Sequence, residues 1–184
     1  MSKVLIPLAT GCEELEAVTL IDLLRRAQID VVTASLTEDL AVTASRGVIL
    51  LADTTLDTVL DDDFEMIVLP GGQPGANNLN ADPRVHQLLK RMADQEKWLA
   101  AICAAPLVLA TAGLLNGFQA TAYPDVLDAD KWPQISLQKD AVVIDGRRVT
   151  SRGPGTAMDF ALTLIDLLVG SASRQQIAIS LVRS

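Results

Sequence analysis

The sequence predicts a single α/β domain over residues 1–184, built as a doubly wound, mostly parallel sheet with helices on both faces. Three observations carry that expectation. Short aliphatic runs alternate with segments of helical periodicity along the whole chain. Apolar residues make up 49% of the sequence and aromatics only 3%, so the core is aliphatic, as suits strands buried on both faces. The 184 residues are enough for one sizeable core, and no linker, repeat or low-complexity segment divides them.

Each element follows from local chemistry. Residues 4–9 form a buried strand, followed by the loop Thr10-Gly11-Cys12-Glu13-Glu14. Over 15–28 the apolar residues Leu15, Val18, Ile21, Leu24 and Ala27 recur at helical spacing, with Arg25 and Arg26 at the favourable C-terminal end. A strand at 29–36 completes a βαβ unit. Residues 41–52 read as a hairpin turning at Ser45-Arg46-Gly47, and 56–60 as a short helix. The run Asp61-Asp62-Asp63 is a solvated turn, since adjacent side chains cannot all converge on one ion. Met66 to Leu69 is the next strand, ending in Pro70-Gly71-Gly72-Gln73-Pro74-Gly75. Asp82 as N-cap and Pro83 at the first helical position open a helix to about residue 96. A strand at 99–102 is followed by Cys103 and a helix at 104–115, with Pro106 tolerated in its first turn. Segments 120–124, 141–144 and 148–151 are extended, the last two joined by the hairpin turn Asp145-Gly146. A long apolar helix at 155–169 stops at Gly170, and 171–182 is the final helix.

Charge and cysteine content narrow the function. A net charge of −8 argues against a protein living on nucleic-acid phosphates or anionic membrane. Two cysteines, Cys12 and Cys103, are too few for a disulfide framework and fit a reducing compartment. The N-terminal apolar run is too short for a signal-peptide core, and nothing approaches a membrane span. The expectation is a cytoplasmic globular protein.

In a doubly wound sheet, ligands bind beyond the carboxyl ends of the strands. The loops 10–16, 70–75 and 103–106 should therefore meet on one edge. Cys103 lies at a strand-to-helix turn among small neighbours, where free helix amides favour a thiolate. The alternative is a buried structural cysteine, and the local pattern does not decide between them. Glu16, in the first turn after the first strand, can point at the strand ends. Beside a thiolate its pKa would rise, and its proton could then be donated to sulfur. Glu13 and Glu14, and Glu16 as well in the simpler reading, complement the helix N-terminus. Gly71-Gly72 can present backbone N–H groups to a ligand, or form a plain turn. Ser151-Arg152-Gly153-Pro154-Gly155-Thr156 either binds an anion or makes a tight connection. The lone histidine, His86, sits in a polar helix and reads as surface decoration, which disfavours a Cys-His protease. Zinc is disfavoured because the cysteines and histidine lack ligand spacing, and no phosphate-cradling loop or dinucleotide fingerprint occurs. No cofactor is called for.

Four stretches are together specific: Gly11-Cys12-Glu13-Glu14-Leu15-Glu16-Ala17-Val18, Val68-Leu69-Pro70-Gly71-Gly72, Ala100-Ala101-Ile102-Cys103-Ala104, and Ser151-Arg152-Gly153-Pro154-Gly155-Thr156. In order and spacing the chain resembles the ThiJ/PfpI superfamily, in the branch of the parkinsonism-associated protein deglycase and bacterial YajL. The resemblance implies a flavodoxin-like homodimer with Cys103 as the reactive cysteine on a nucleophile elbow and Glu16 as its partner carboxyl. It implies oxyanion binding by the amides of Gly72 and Ala104. Arg46 takes the place of an arginine brought toward the site near the dimer interface, and Arg26 and Arg152 match further family arginines. Tyr123 stands where many relatives carry a histidine, as YajL also does without one. A phenol of pKa about 10 is a poor base at neutral pH but can donate a hydrogen bond to substrate. Cys12 is a second departure, either a resolving thiol or inert packing.

Two functions follow from the resemblance. One is a cysteine-dependent deglycase and glutathione-independent glyoxalase, acting on methylglyoxal, glyoxal and their adducts, including glycated amino acids and proteins. The other is a redox-sensing chaperone using oxidation of Cys103. Peptidase or amidase activity, attached to some members of the superfamily, is the weakest reading without a histidine.

Overall fold

The computed structural model describes residues 2–183. In chain order the elements are β1 (Lys3–Leu8), α1 (Glu14–Arg26), β2 (Asp30–Ser35), β3 (Ala41–Thr43), β4 (Ile49–Leu51), β5 (Thr54–Thr55), α2 (Leu56–Val59), β6 (Met66–Leu69), α3 (Gly75–Ala81) and α4 (Pro83–Asp94). Then come β7 (Trp98–Ile102), α5 (Pro106–Thr111), β8 (Gln119–Ala120), β9 (Ser136–Leu137), β10 (Val142–Asp145), β11 (Arg148–Ser151), a 3-10 turn at Pro154–Thr156, α6 (Ala157–Val169) and α7 (Ser171–Ser180).

Seven strands form the central sheet in the order β10-β11-β7-β6-β1-β2-β5. All its pairings are parallel except the β10–β11 hairpin at one edge. This is the flavodoxin-like α/β arrangement. Side-chain alternation along the strands divides the core in two. Val4, Ile6, Leu8, Val68, Ala100 and Ile102 face one cluster with Leu20 and Leu24 of α1 and Phe160 and Leu164 of α6. Leu5, Ile67, Leu69, Leu99 and Ala101 face the other with Leu79 of α3, Leu88 and Leu89 of α4 and Leu109 of α5. Strands buried on both faces have no room for a polar phase, which is why their sequences are unbroken aliphatic runs.

The chain leaves β1 for β2 on one side and returns across the sheet to β6 on the other. The carboxyl ends of β1 and β6 therefore flank a topological switch point, the place where such sheets open a crevice. The predicted helix at 104–115 is shorter. Cys103 begins a turn through Ala105, and α5 occupies only Pro106–Thr111. Gly113, at φ +74°, ends it with Gly113 N–H donating to Ala110 O and Leu114 N–H to Leu109 O. These bonds satisfy the last carbonyls in a left-handed cap that the apolar run disguised. The extended segment expected at 120–124 is likewise cut short after Ala120, and the chain then turns, with Tyr123 N–H donating to Cys103 O. Helix α3 fills the stretch between the strand-end loop and Asp82.

Candidate active site

Three strand-end loops meet at the switch point. Glu13 N–H donates to Gly71 O at 2.9 Å, and Gly75 N–H donates to Gly11 O at 3.1 Å. Gly72 has a left-handed φ of +90°, and a Cβ there would lie 2.3 Å from Glu13 N. No residue with a side chain fits that approach.

Cys103 follows β7 with φ +64°, a conformation costing a non-glycine residue on the order of 1–3 kcal/mol. Its backbone is pinned on both sides. Cys103 N–H donates to Ser151 O at 2.9 Å, and Tyr123 N–H donates to Cys103 O at 2.8 Å. The turn aims the side chain at the crevice, where the amides of Gly72 and Ala104 act on the thiol to lower its pKa. The residue keeps 8% exposure.

Glu16, in the first turn of α1, is 0% exposed. Its Oε2 accepts from Gly71 N–H at 2.8 Å, and its carboxyl also meets the Cys103 thiol. Its Oε1 is buried with no hydrogen-bond partner among the described residues. Burial lifts the Glu16 carboxyl to about 7, with the charge of Glu13 helping and the bonds from Gly71 and Cys103 opposing. A carboxylic acid in that position relieves a buried oxygen that an anion leaves exposed to nothing.

The thiolate expected at Cys103 needs correction. Burial, then the charge of Glu16, push the thiol up to about 12, against the pull of the Gly72 and Ala104 amides. Helix α5 begins only at Pro106, too far along the chain for its N-terminus to work as anticipated. The sulfur can be anionic here only when the proton sits on Glu16. Above about pH 7 the pair holds one proton, and with the thiol raised this far that proton rests mainly on the sulfur.

The remaining predicted residues fall differently. Tyr123 is 52% exposed, with its ring against Gly153. Arg46 contributes its backbone, whose N–H donates to Glu14 Oε1 at 2.8 Å, while among the described residues its guanidinium bonds only Ser45 O, at 3.5 Å. Arg26 pairs with Asp22 on the exposed face of α1, away from the strand ends. Arg152 lies beyond Ser151 and donates to Lys139 O at 3.1 Å. In the 151–156 segment, Thr156 Oγ1 accepts from Gly153 N–H at 3.2 Å, so the turn satisfies itself as a tight connection. Cys12 is sealed in the core and free, its thiol raised to about 12 by burial and then by Glu14. His86 bonds Asn80 O, far along the chain from the crevice.

Two features escaped the sequence. Ser45 Oγ lies 2.9 Å from Glu13 Oε2 and 2.8 Å from Glu14 Oε2, clamping the β3–β4 hairpin onto the site loop. A serine in a hairpin turn gives no hint of such a partner. Gly71 is the spacer of the pair: a Cβ there would stand 2.6 Å from Cys103 Cβ and 2.8 Å from Glu16 Oε2. Among the described residues no group of three or more His, Cys, Asp or Glu side chains is placed to hold a metal. No helix among them is long and apolar enough to cross a membrane.

Residues 2–167 match the DJ-1/PfpI family. The crystal structure of Drosophila melanogaster DJ-1beta superposes with a TM-score of 0.95 at 41% identity, covering 100% of both chains. The structure of oxidized Toxoplasma gondii DJ-1 does so with a TM-score of 0.94 at 40% identity, again over 100% of both. Protein DJ-1 homolog B of Arabidopsis thaliana is 41% identical over 96% of this chain, which spans only 40% of that relative's length. Glutathione-independent glyoxalase DJR-1.2 of Caenorhabditis elegans is 34% identical over 86% of this chain and 83% of its own.

Two predictions follow from the buried pair. The Glu16 pKa is raised from 4.5 to about 7 in the fold, so the folded state holds its proton more tightly than the unfolded chain. Its contribution is complete below about pH 4.5 and is lost as pH rises to about 7. Unfolding free energies of wild type and Glu16→Gln, measured by urea titration across that window, should diverge by about 3 kcal/mol, with the wild type losing ground. Gly71→Ala should cost about 1–3 kcal/mol by the same measurement through overpacking. Gly155→Ala, whose Cβ meets nothing within 4 Å, should be neutral.

Proposed function

Because the chain belongs to the DJ-1/PfpI family, we propose that it is a cysteine-dependent deglycase and glutathione-independent glyoxalase acting on methylglyoxal, glyoxal and their adducts, glycated amino acids and proteins included. The supporting observation is the buried Cys103–Glu16 pair with two backbone amides at the sulfur and no histidine beside it. The C. elegans relative carries the glyoxalase name.

The chemistry of the pair runs as follows for methylglyoxal. The Cys103 proton passes to Glu16, and the sulfur adds to the aldehyde carbon, forming a hemithioacetal as the carbonyl oxygen takes up a proton. The Gly72 and Ala104 amides face the oxyanion that develops on this path. Glu16, again a carboxylate, removes the hydrogen from that carbon and delivers a proton to the neighbouring ketone carbon through an enediol. The aldehyde carbon is thereby oxidised to a thioester and the ketone reduced to an alcohol, with no external oxidant. Water then cleaves the thioester, releasing lactate and restoring the thiol. Tyr123, whose N–H donates to Cys103 O, and Arg46, on the hairpin clamped to the site loop by Ser45, are the side chains that would bind substrate.

A second reading, a redox-sensing chaperone, draws on the same sulfur, and the Toxoplasma structure is described as oxidized. A protonated Glu16 beside Cys103 suits the oxygen acids of sulfur as well as it suits a thiolate. We place the protein in the cytoplasm as a homodimer. The exposed apolar side chains Leu15 and Val18 on α1, and Val48, Ile49 and Leu51 on the adjoining hairpin, form surface that a second copy would cover.

Cys103→Ser should abolish lactate release from methylglyoxal, and Glu16→Gln should lower kcat/KM by about 10²-fold or more. The wild-type kcat/KM should rise with pH through about 7 as Glu16 becomes able to accept the thiol proton, a limb missing in Glu16→Gln. Full turnover in both variants refutes the enzyme. Mild peroxide should place oxygen on Cys103 while sparing the sealed Cys12, read by peptide mass spectrometry. Equal oxidation of both cysteines counts against sensing.

A further inference from the structure

A groove of about 350 Å³ opens beside the crevice, and both its walls are anchored on Cys103. One wall carries Tyr123, whose N–H donates to Cys103 O. The other carries Arg152, which follows directly on Ser151, the residue whose carbonyl accepts from Cys103 N–H. The groove therefore starts within one residue of the site on either side. Its lining is largely apolar, from Ala122, Tyr123, Leu127 and Leu137, and includes the cations Lys139 and Arg152.

The charges in that lining run against the sign of the whole chain. The protein carries a net charge of −8, yet this groove has two cations against the single carboxylate of Asp125. Among the described residues neither Lys139 nor Arg152 forms an ion pair, a condition they share with Arg46, Lys90, Lys131, Arg147, Arg148 and Arg174; what sets them apart is their place together in one groove. Arg152 Nη1 donates to Lys139 O, which ties the two cationic residues together and leaves their charges without a carboxylate partner. A largely apolar lining that includes two cations is complementary to an apolar group ending in an anion.

We propose that this groove is a recognition subsite for the carboxylate of an apolar amino acid, with the side chain lying on Tyr123, Leu127 and Leu137 and the carboxylate meeting Arg152 and Lys139. Its meaning for catalysis rests on the activity proposed above. An aldehyde adduct on the α-amine of such an amino acid would have its reactive carbon at Cys103 and its carboxylate in the groove. The subsite thus favours adducts of amino acids carrying a free carboxylate over the same adducts on amides.

N-acetyl-leucine and N-acetyl-leucinamide, which differ in the carboxylate alone, test the groove without any turnover. Titrated into the isotope-labelled full chain at neutral pH and low salt, N-acetyl-leucine should shift the amide resonances of Tyr123 and Lys139. It should bind about tenfold or more tightly than the amide. Arg152→Gln should reduce the affinity for the acid to that for the amide, and Lys139→Gln should do so in part, with the unperturbed remainder of the spectrum reporting an intact fold. Equal affinities for the two compounds, shifts located elsewhere, or no binding overturn the proposal. Lactate release from free methylglyoxal by the wild type is read separately. If it is absent while the Arg152-dependent binding holds, the activity is refuted and the groove stands. If it is present while binding fails, the groove is refuted and the activity stands.

Discussion

A carboxyl group with no access to water, set against a thiol, is the constraint on which the rest of this architecture depends. Glu16 is held at one oxygen by the Gly71 amide and is left unpartnered at the other. Nothing about the flavodoxin-like sheet requires a glutamate there, and burying it costs free energy unless it is protonated or paired. The surroundings are shaped to make that placement possible. Gly71 has no side chain because Cys103 and Glu16 already occupy its space. Gly72 takes a left-handed turn against the backbone of Glu13. Cys103 accepts an unfavourable backbone angle, stabilised by two backbone hydrogen bonds, so that its sulfur faces the same point. Strain, burial and a missing side chain gathered at one spot on a sheet edge are what a reactive site demands and a merely stable fold avoids.

Much of this was legible in the residues. The strand 66–69 stands where its aliphatic run puts it, 148–151 stands where the Asp145-Gly146 turn puts it, and Asp82 caps α4 ahead of Pro83, its side chain accepting from Arg84 N–H. The meeting of three loops followed from the alternation of strand and helix alone. Elements were misjudged where a single backbone angle outweighed a run of helix formers. Gly113 stops α5 well before Leu115, and the apolar residues around it say nothing of that angle. Side-chain partners across the chain were the least visible. The clamp from Ser45 to Glu13 and Glu14 joins residues more than thirty positions apart, and no local pattern encodes it.

The protonation of Cys103 was misread for a related reason. Reading outward from the sequence, the nearest electrostatic feature was a helix start, which lowers a thiol pKa. In the folded chain the dominant influences are the loss of water and the charge of Glu16, both of which raise it. Neither is a property of the residues adjacent to Cys103. Burial is set by the whole sheet, and Glu16 arrives from the first turn of α1, almost ninety positions away.

That correction alters how reactivity must be understood, without removing it. A cysteine activated by a fixed positive charge is anionic all the time, and vulnerable all the time. A cysteine sharing one proton with a buried carboxyl is anionic only in the microstate where the carboxyl holds that proton. The same microstate places an O–H donor beside the sulfur and two amides around it, an environment prepared for a tetrahedral oxyanion and for sulfur-bound oxygen alike. Glu16 lies near the midpoint of its titration at neutral pH, so it can take up and return a proton, while the thiol, pushed up to about 12, keeps the thiolate a minor microstate that forms as the sulfur reacts. A histidine would supply a base with a similar midpoint, but it would bring a positive charge when protonated. The carboxyl supplies the midpoint and becomes neutral, which leaves the backbone amides as the principal electrostatic attraction for the anion formed.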